Sequence, residues 1–262
     1  MVSVTHQTIA TGDALAQVTR PARALIGWMH EVQEQTLMEH GPDLADYAGR
    51  FMAQPDCRQY VAEGWSVKIA DLSKVVALQP MVFWDHAQER TLGAASGDMA
   101  ALAEITLPIR TRPERPPVQF DENRKTWMVT SRNPNLRIVG QFTVPVDSGG
   151  GQEMTGCGFA ITVTASFVQV ARYRNRLLLR DGYHRSLGLL SRGVTHVPVL
   201  YREFGAYEPL GLGPGMLPEG SYLGERPPFL ADYFLDSVAA EVSLPASQKM
   251  IVIQGIEMTP MG

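Results

Sequence analysis

Residues 180–186 read Arg-Asp-Gly-Tyr-His-Arg-Ser, and this is where the chain could do chemistry. Short apolar runs at 168–170 and 177–179 flank the polar stretch 172–175, which predicts a pair of strands or one long hairpin. The second run stops at Asp181-Gly182. Asp181 suits an N-cap and Gly182 a tight bend, so residues 183–191 are expected to form a helix entered directly from a strand. Leu187, Leu189 and Leu190 give that helix an apolar face, Gly193 closes it, and 197–201 begins another strand. A helix that starts at a strand end presents unpaired N–H groups and a partial positive charge. His184 and Arg185 in its first turn, with Arg180 just before it, oppose the dipole unless an anion sits there, and phosphate is the obvious candidate. The competing explanation is structural: Arg185 pairs with a local acid such as Asp181, and His184 is a satisfied, half-buried histidine.

Strand, D-G-x-H-R, a leucine-rich helix, glycine-valine and then Val197-Pro198-Val199 resembles the second motif of the ParB/sulfiredoxin superfamily. The resemblance implies that this turn binds nucleotide phosphates. Gly182, His184, Arg185 and Ser186 would make the contacts, with Asp181 and Tyr183 framing them. Sulfiredoxins carry a reactive cysteine where this chain has Tyr183, so repair of sulfinic acids is not supported. Residues 67–72 (Val-Lys-Ile-Ala-Asp-Leu) and 75–80, ending in Gln79-Pro80, are similar to the first motif of the same superfamily. The arginine that usually follows the proline is replaced by Met81-Val82-Phe83. The cofactor implied is ATP or CTP with magnesium, and the reaction implied is phosphoryl transfer or nucleotide hydrolysis. Asp71 or Asp85 would then orient the acceptor as a general base. Both carboxylates are equally at home as solvated turn or helix residues.

Composition narrows the remaining classes. The 262 residues carry 23 basic and 27 acidic side chains, a net charge of −4, which argues against general nucleic-acid or membrane-surface binding. Two cysteines, Cys57 and Cys157, are too few for a disulfide framework and are expected to be reduced thiols. The first residues have neither the basic start nor the apolar run of a signal peptide, and no later segment has the apolar length to span a bilayer. A cytoplasmic protein is therefore expected. No metal-ligand cluster, P-loop, nucleophile elbow or Rossmann fingerprint is present; three glycines after Ser148 lack the Lys-Ser/Thr of a P-loop.

The positioning elements follow in chain order. Asp13 should cap a helix through Leu15 and Val18 that continues past Pro21 to Trp28 and Met29; Pro42 and Pro55 should open two more. A short helix is expected at 96–103 and a strand at 105–109. A connector with Arg110, Arg112 and Arg115 among prolines comes next, able to face an anion but more simply a solvated loop. Strands are expected at 127–130, 136–146 and 159–170, an irregular loop at 209–224, a helix at 230–242 and a closing strand at 250–258.

The expectation is an α+β protein with a ParB/sulfiredoxin-like mixed core, N-terminal helices and a β-rich insertion. Residues 1–64 would be the helical segment, 65–205 the core with the insertion at about 86–160, and 206–262 a loop, helix and strand packing on it. Its partner would be a small-molecule nucleotide or phosphoanion; Trp28, Met29 and Phe51 could line either the core or a homodimer face. The alternative is a non-catalytic scaffold or interaction protein on a degenerate ParB-like fold.

Overall fold

The computed structural model describes residues 2–19, 37–95, 97–110, 115–131, 133, 135–147, 153–213, 215–236 and 239–255, with backbone path alone at 2–19, 241–248 and 255. It contains both helices and sheets and divides into two compact units, Ala14–Arg110 with Ser166–Leu244, and Met1–Asp13 with Thr111–Ala165 and Pro245–Gly262. Trp28, Met29, Ser96, Arg112, the glycines after Ser148 and Met258 lie outside the described residues.

The chain opens with strand β1 (Val2–Thr19), not with a helix capped by Asp13. The β-branched residues Val2, Val4, Thr5, Thr8, Ile9 and Thr11 favour extended backbone, and the end of the strand is held by pairing outside the segment. Gln17, Val18 and Thr19 lie opposite Phe83, Val82 and Met81, a partner that helical spacing cannot reveal.

In the first unit, β2 (Leu37–Met38) is followed by α1 (Pro42–Ala53), which has proline in its first turn and buries Leu44, Tyr47, Ala48 and Phe51 along one stripe. A 3-10 turn at Pro55–Cys57 runs into the short α2 (Arg58–Ala62). β3 (Ser66–Asp71), β4 (Val76–Ala77) and β5 (Met81–Phe83) lead to α3 (Trp84–Arg90) and α4 (Met99–Thr106). Asp98 caps α4 by accepting from the amides of Ala100 and Ala101, both at 3.0 Å, and so carries the helix through Ile105 and Thr106, where a strand was expected.

β10 (Gln169–Tyr173) and β11 (Arg176–Asp181) form the expected hairpin. Arg174 and Asn175, with φ of 47° and 60°, make its two-residue turn. Next come α5 (Tyr183–Ser191) and β12 (His196–Glu203). Six strands form one sheet in the order β2-β3-β12-β10-β11-β4, parallel where β10 meets β12 and β11 meets β4. Phe51, Phe167, Leu177, Leu178, Leu179, Leu187, Val199 and Leu200 are at the heart of this unit's core. The short α6 (Glu219–Tyr222) and a 3-10 turn at Leu230–Phe234 follow, so the helix expected over 230–242 does not form. Its last three residues, 240–242, already belong to strand β13 (Ala240–Gly255).

The second unit is antiparallel. β6 (Val118–Asp121) pairs with β7 (Thr126–Ser131), β7 with β13, and β8 (Leu136–Asp147) with β9 (Glu153–Val163). Val129, Leu136, Val163, Ile251 and Ile253 give it a small core of its own, with Ile138, Phe159 and Ile161 against it. The β-rich part is therefore narrower than 86–160, because α3 and α4 belong with the first unit; β13 from Pro245 onward groups with the β-rich part.

Candidate functional site

The turn between β11 and α5 owes its shape to Gly182. Its φ is +93°, and a Cβ there would lie 2.7 Å from the Cα of Val168, the residue just before β10, so both backbone conformation and space select glycine. Gly182, not Asp181, is the N-cap residue, and no side-chain oxygen caps α5. Asp181 remains the last residue of β11 and turns its carboxylate onto the amide of Gly182 at 2.6 Å. The first amides of α5 therefore keep the positive end of the helix dipole without a capping side chain.

Tyr183 is buried and points inward. Its hydroxyl donates to the carbonyl of Leu179 at 2.6 Å and accepts from the amides of Leu78 at 2.5 Å and Gln79 at 3.1 Å. The hydroxyl of Tyr233 donates to the Gln79 carbonyl. Burial holds the Tyr183 phenol well above its usual range, so it stays protonated. Tyr183 and Gln79 thus fasten the loop after β4 to the start of α5 through buried backbone groups, which is a structural use of both positions.

His184 is not a cation. Burial first, then the charges of Arg90, His86 and Arg185, push its pKa down to about 3. Its Nε2 accepts from the Phe83 amide at 3.3 Å, its ring stacks on Phe83 at 6.2 Å, and the His86 ring stands edge-on at 5.6 Å. A neutral ring used as an acceptor cannot neutralise a phosphate, so the role expected from the motif falls to other side chains.

Arg185 keeps its charge. Burial and then Arg90 lower its pKa to about 10, with Arg110 acting in the same direction and Asp181 against them. Its guanidinium donates to the Ser166 carbonyl at 2.5 Å and to the Ser166 hydroxyl at 3.2 Å. Among the described residues no carboxylate lies within ion-pair distance of it. Asp181 is itself pushed toward its neutral form by burial, although the Gly182 amide and Arg185, Arg90 and Arg180 oppose this. The local balance is therefore an excess of guanidinium over carboxylate.

The other expected residues lie elsewhere. Ser186 follows His184 by two residues, about 200° around the helix, so the two side chains face opposite ways. Its hydroxyl is fully buried and has no hydrogen-bond partner among the described residues. Asp71 is separated from Asp181 by three strand spacings, through Gln169 and Leu200 to Val67, and then by four residues along β3. That is on the order of 20 Å. It accepts from Ser73 and lies 3.7 Å from Lys74, beside Leu72, whose amide donates to the Thr195 carbonyl beyond the far end of α5. Asp71 therefore cannot act at the turn. Asp85 is exposed in the first turn of α3, where a carboxylate suits the helix dipole. Arg180 stacks over Trp65 at 5.3 Å.

Residues that sequence reasoning missed come from α3. Gly188 fits against it so tightly that a Cβ would lie 2.2 Å from the Ala87 carbonyl oxygen. The pairs Phe83 with His184, Gln88 with Ser191 and Thr91 with Arg192 run in parallel along the two helices. Arg90 lies one helical turn beyond His86, with its base level with the C-terminal end of α5, and its charge still bears on Asp181, His184 and Arg185. A signal was available in the spacing of His86 and Arg90, but only once α3 is known to lie on α5. Ser166 had no signal of its own.

Among the described residues no group of three or more histidine, cysteine or acidic side chains is placed to hold a metal ion, and no helix is long and apolar enough to cross a membrane. No family model, no curated protein and no solved structure matches the chain.

Proposed function

We propose that the turn at Gly182 binds a phosphoanion, with a nucleotide as its natural carrier, on a ParB/sulfiredoxin-like core made of β11, the turn, α5 and β12 beside the loop ending at Gln79-Pro80. The observation that carries this reading is Arg185: a largely buried guanidinium, held by Ser166 and paired with no carboxylate among the described residues, beside an uncapped helix start. A buried cation without an acid is costly, and an anionic ligand supplies the missing charge. Phosphate suits the planar fork of arginine and the free amides together.

The fit to ATP or CTP rests on these groups alone. Magnesium would arrive on the phosphates of the nucleotide, since the described residues supply no acidic cluster for it; when bound, it would lower the negative charge of the phosphates. If phosphoryl transfer occurs, Asp85 is the carboxylate on the helix that meets α5, and Asp71 has no part in it.

Calorimetry with ATP and CTP tests the binding. The wild-type protein should bind one of them, and Arg185→Gln should weaken it by about 10- to 100-fold, the worth of a charge-assisted hydrogen-bond pair. Equal affinities would overturn the assignment. The second reading, a scaffold with a degenerate site, is favoured by the structural use of Tyr183 and His184. It predicts no rise in melting temperature with any nucleotide and magnesium, whereas a ligand that binds the native state must raise it.

A further inference from the structure

We infer that Arg90 is the second anchor of this site, and that Arg90 and Arg185 together select a doubly charged phosphate, either free phosphate or the terminal phosphate of a nucleotide. The inference rests on the phosphoanion reading above and adds its charge class and a residue outside the motif. Three observations lead to it. First, α3 is locked on α5: Gly188 leaves no room for a Cβ against Ala87, and Thr91, Gln88, Ser191 and Arg192 are joined by side-chain hydrogen bonds. Arg90 therefore has a fixed base. Second, the His86 ring stands 5.6 Å from the His184 ring, and Arg90 follows His86 by one helical turn, near enough for its charge to bear on Asp181, His184 and Arg185 together. Third, Arg90 is half-buried, and among the described residues no hydrogen bond or ion pair engages its guanidinium.

The charges around that space can be named from each side. α3 supplies Arg90 and His86, which is within 3.8 Å of Glu89; α5 supplies Arg185 and the neutral His184; β11 supplies Asp181; and Arg110, which faces Asp56 at 4.0 Å, approaches from beyond α4. Three arginines, Arg90, Arg185 and Arg180 of β11, bear on the single buried carboxyl of Asp181. A single negative charge would leave this balance positive even with that carboxyl ionised. A dianion offsets it, and the three oxygens of a phosphoryl group let two guanidinium forks grip it together, which the two oxygens of one carboxylate serve less well.

The test is isothermal calorimetry of the full chain with inorganic phosphate, with ATP and with acetate, on wild type, Arg90→Gln, Arg90→Lys and the remote control Arg174→Gln. Wild type should bind phosphate and ATP and ignore acetate. Arg90→Gln should lose at least tenfold for both phosphates, Arg90→Lys should recover part of the loss, and Arg174→Gln should bind as wild type. A circular dichroism spectrum and melting temperature matching wild type would show that Arg90→Gln is folded; if it is not, Arg90→Lys carries the test, with a loss of about three- to tenfold expected and undiminished affinity overturning the assignment. Undiminished phosphate affinity in Arg90→Gln overturns the assignment of Arg90 while leaving the site reading in place. Binding of ATP without inorganic phosphate assigns the terminal phosphate of a nucleotide over free phosphate, whereas acetate binding as tight as that of phosphate overturns the doubly charged class. Failure of wild type to bind either phosphate overturns the site reading itself.

Discussion

At the residue scale, the turn shows how burial reassigns a motif. His184 was expected to serve as a phosphate-binding cation but works as a neutral acceptor for the Phe83 amide. Its folded pKa of about 3 is below the unfolded value near 6.5. Between those limits the unfolded chain takes up the proton that the folded chain refuses, so stability should fall as pH drops from about 6.5 toward 3. The contribution is at most about 1.4 kcal/mol per pH unit. Asp181, shifted upward, acts with the opposite sign in the acid part of that window, and it is present in wild type and variant alike. Urea unfolding of wild type and His184→Gln at pH 4 to 7 should therefore show a shallower acid loss in the variant; parallel curves would mean that His184 is protonated in the fold. Tyr183→Phe removes the acceptor of two buried amides and should cost about 2 to 4 kcal/mol without any change in charge, measured by the same unfolding curves.

At the element scale, α5 and α3 behave as one piece because glycine allows their close approach. Gly188→Ala would drive a methyl group into the Ala87 carbonyl and the Thr91 side chain, and should destabilise the first unit by about 1 to 3 kcal/mol. It should also weaken phosphate binding, because Arg90 moves with α3; a melting temperature unchanged from wild type would deny the tight packing. The elements that could be read from the sequence were those whose signals are local. The β10–β11 hairpin has its turn residues, α5 its glycines and leucines, and α1 its proline and stripe of Leu44, Tyr47, Ala48 and Phe51. Elements decided by distant partners were misread. β1 resembles a helix from Asp13 onward until its pairing with Met81–Phe83 is seen, and β13 is extended where a local pattern favours helix. Arg90 was illegible for the same reason: nothing in its own segment says that α3 lies on α5.

At the scale of the whole molecule, the two units differ in how much each strand is covered. β10, β11 and β12 are internal strands with buried side chains on most positions. In the second unit, β8 and β9 extend as a two-stranded ribbon whose outer half leaves Phe142 52% exposed, with Val144, Val146 and Met154 also exposed. A lone two-stranded ribbon is marginal in water. Amides of 142–147 and 153–158 should therefore exchange with deuterium far faster than those of 169–173 and 197–201, by a factor of 100 or more if the core opens only globally. Protection of equal size in both would show that the ribbon is held by something else. The net charge of −4 coexists with the local guanidinium excess beside Gly182, which is why composition alone argued against anionic partners in general yet left one small anion open.

The amide of Val168 donates to the carbonyl of Thr106 at 2.9 Å, so the chain that departs after α4 and the chain that returns before β10 are held side by side within the first unit. The entropy of closing a loop grows only with the logarithm of its length, about 0.6 kcal/mol per doubling. A change of length between those ends, made at a turn outside the paired strands such as 122–125 between β6 and β7, should therefore cost the sheet of the first unit little.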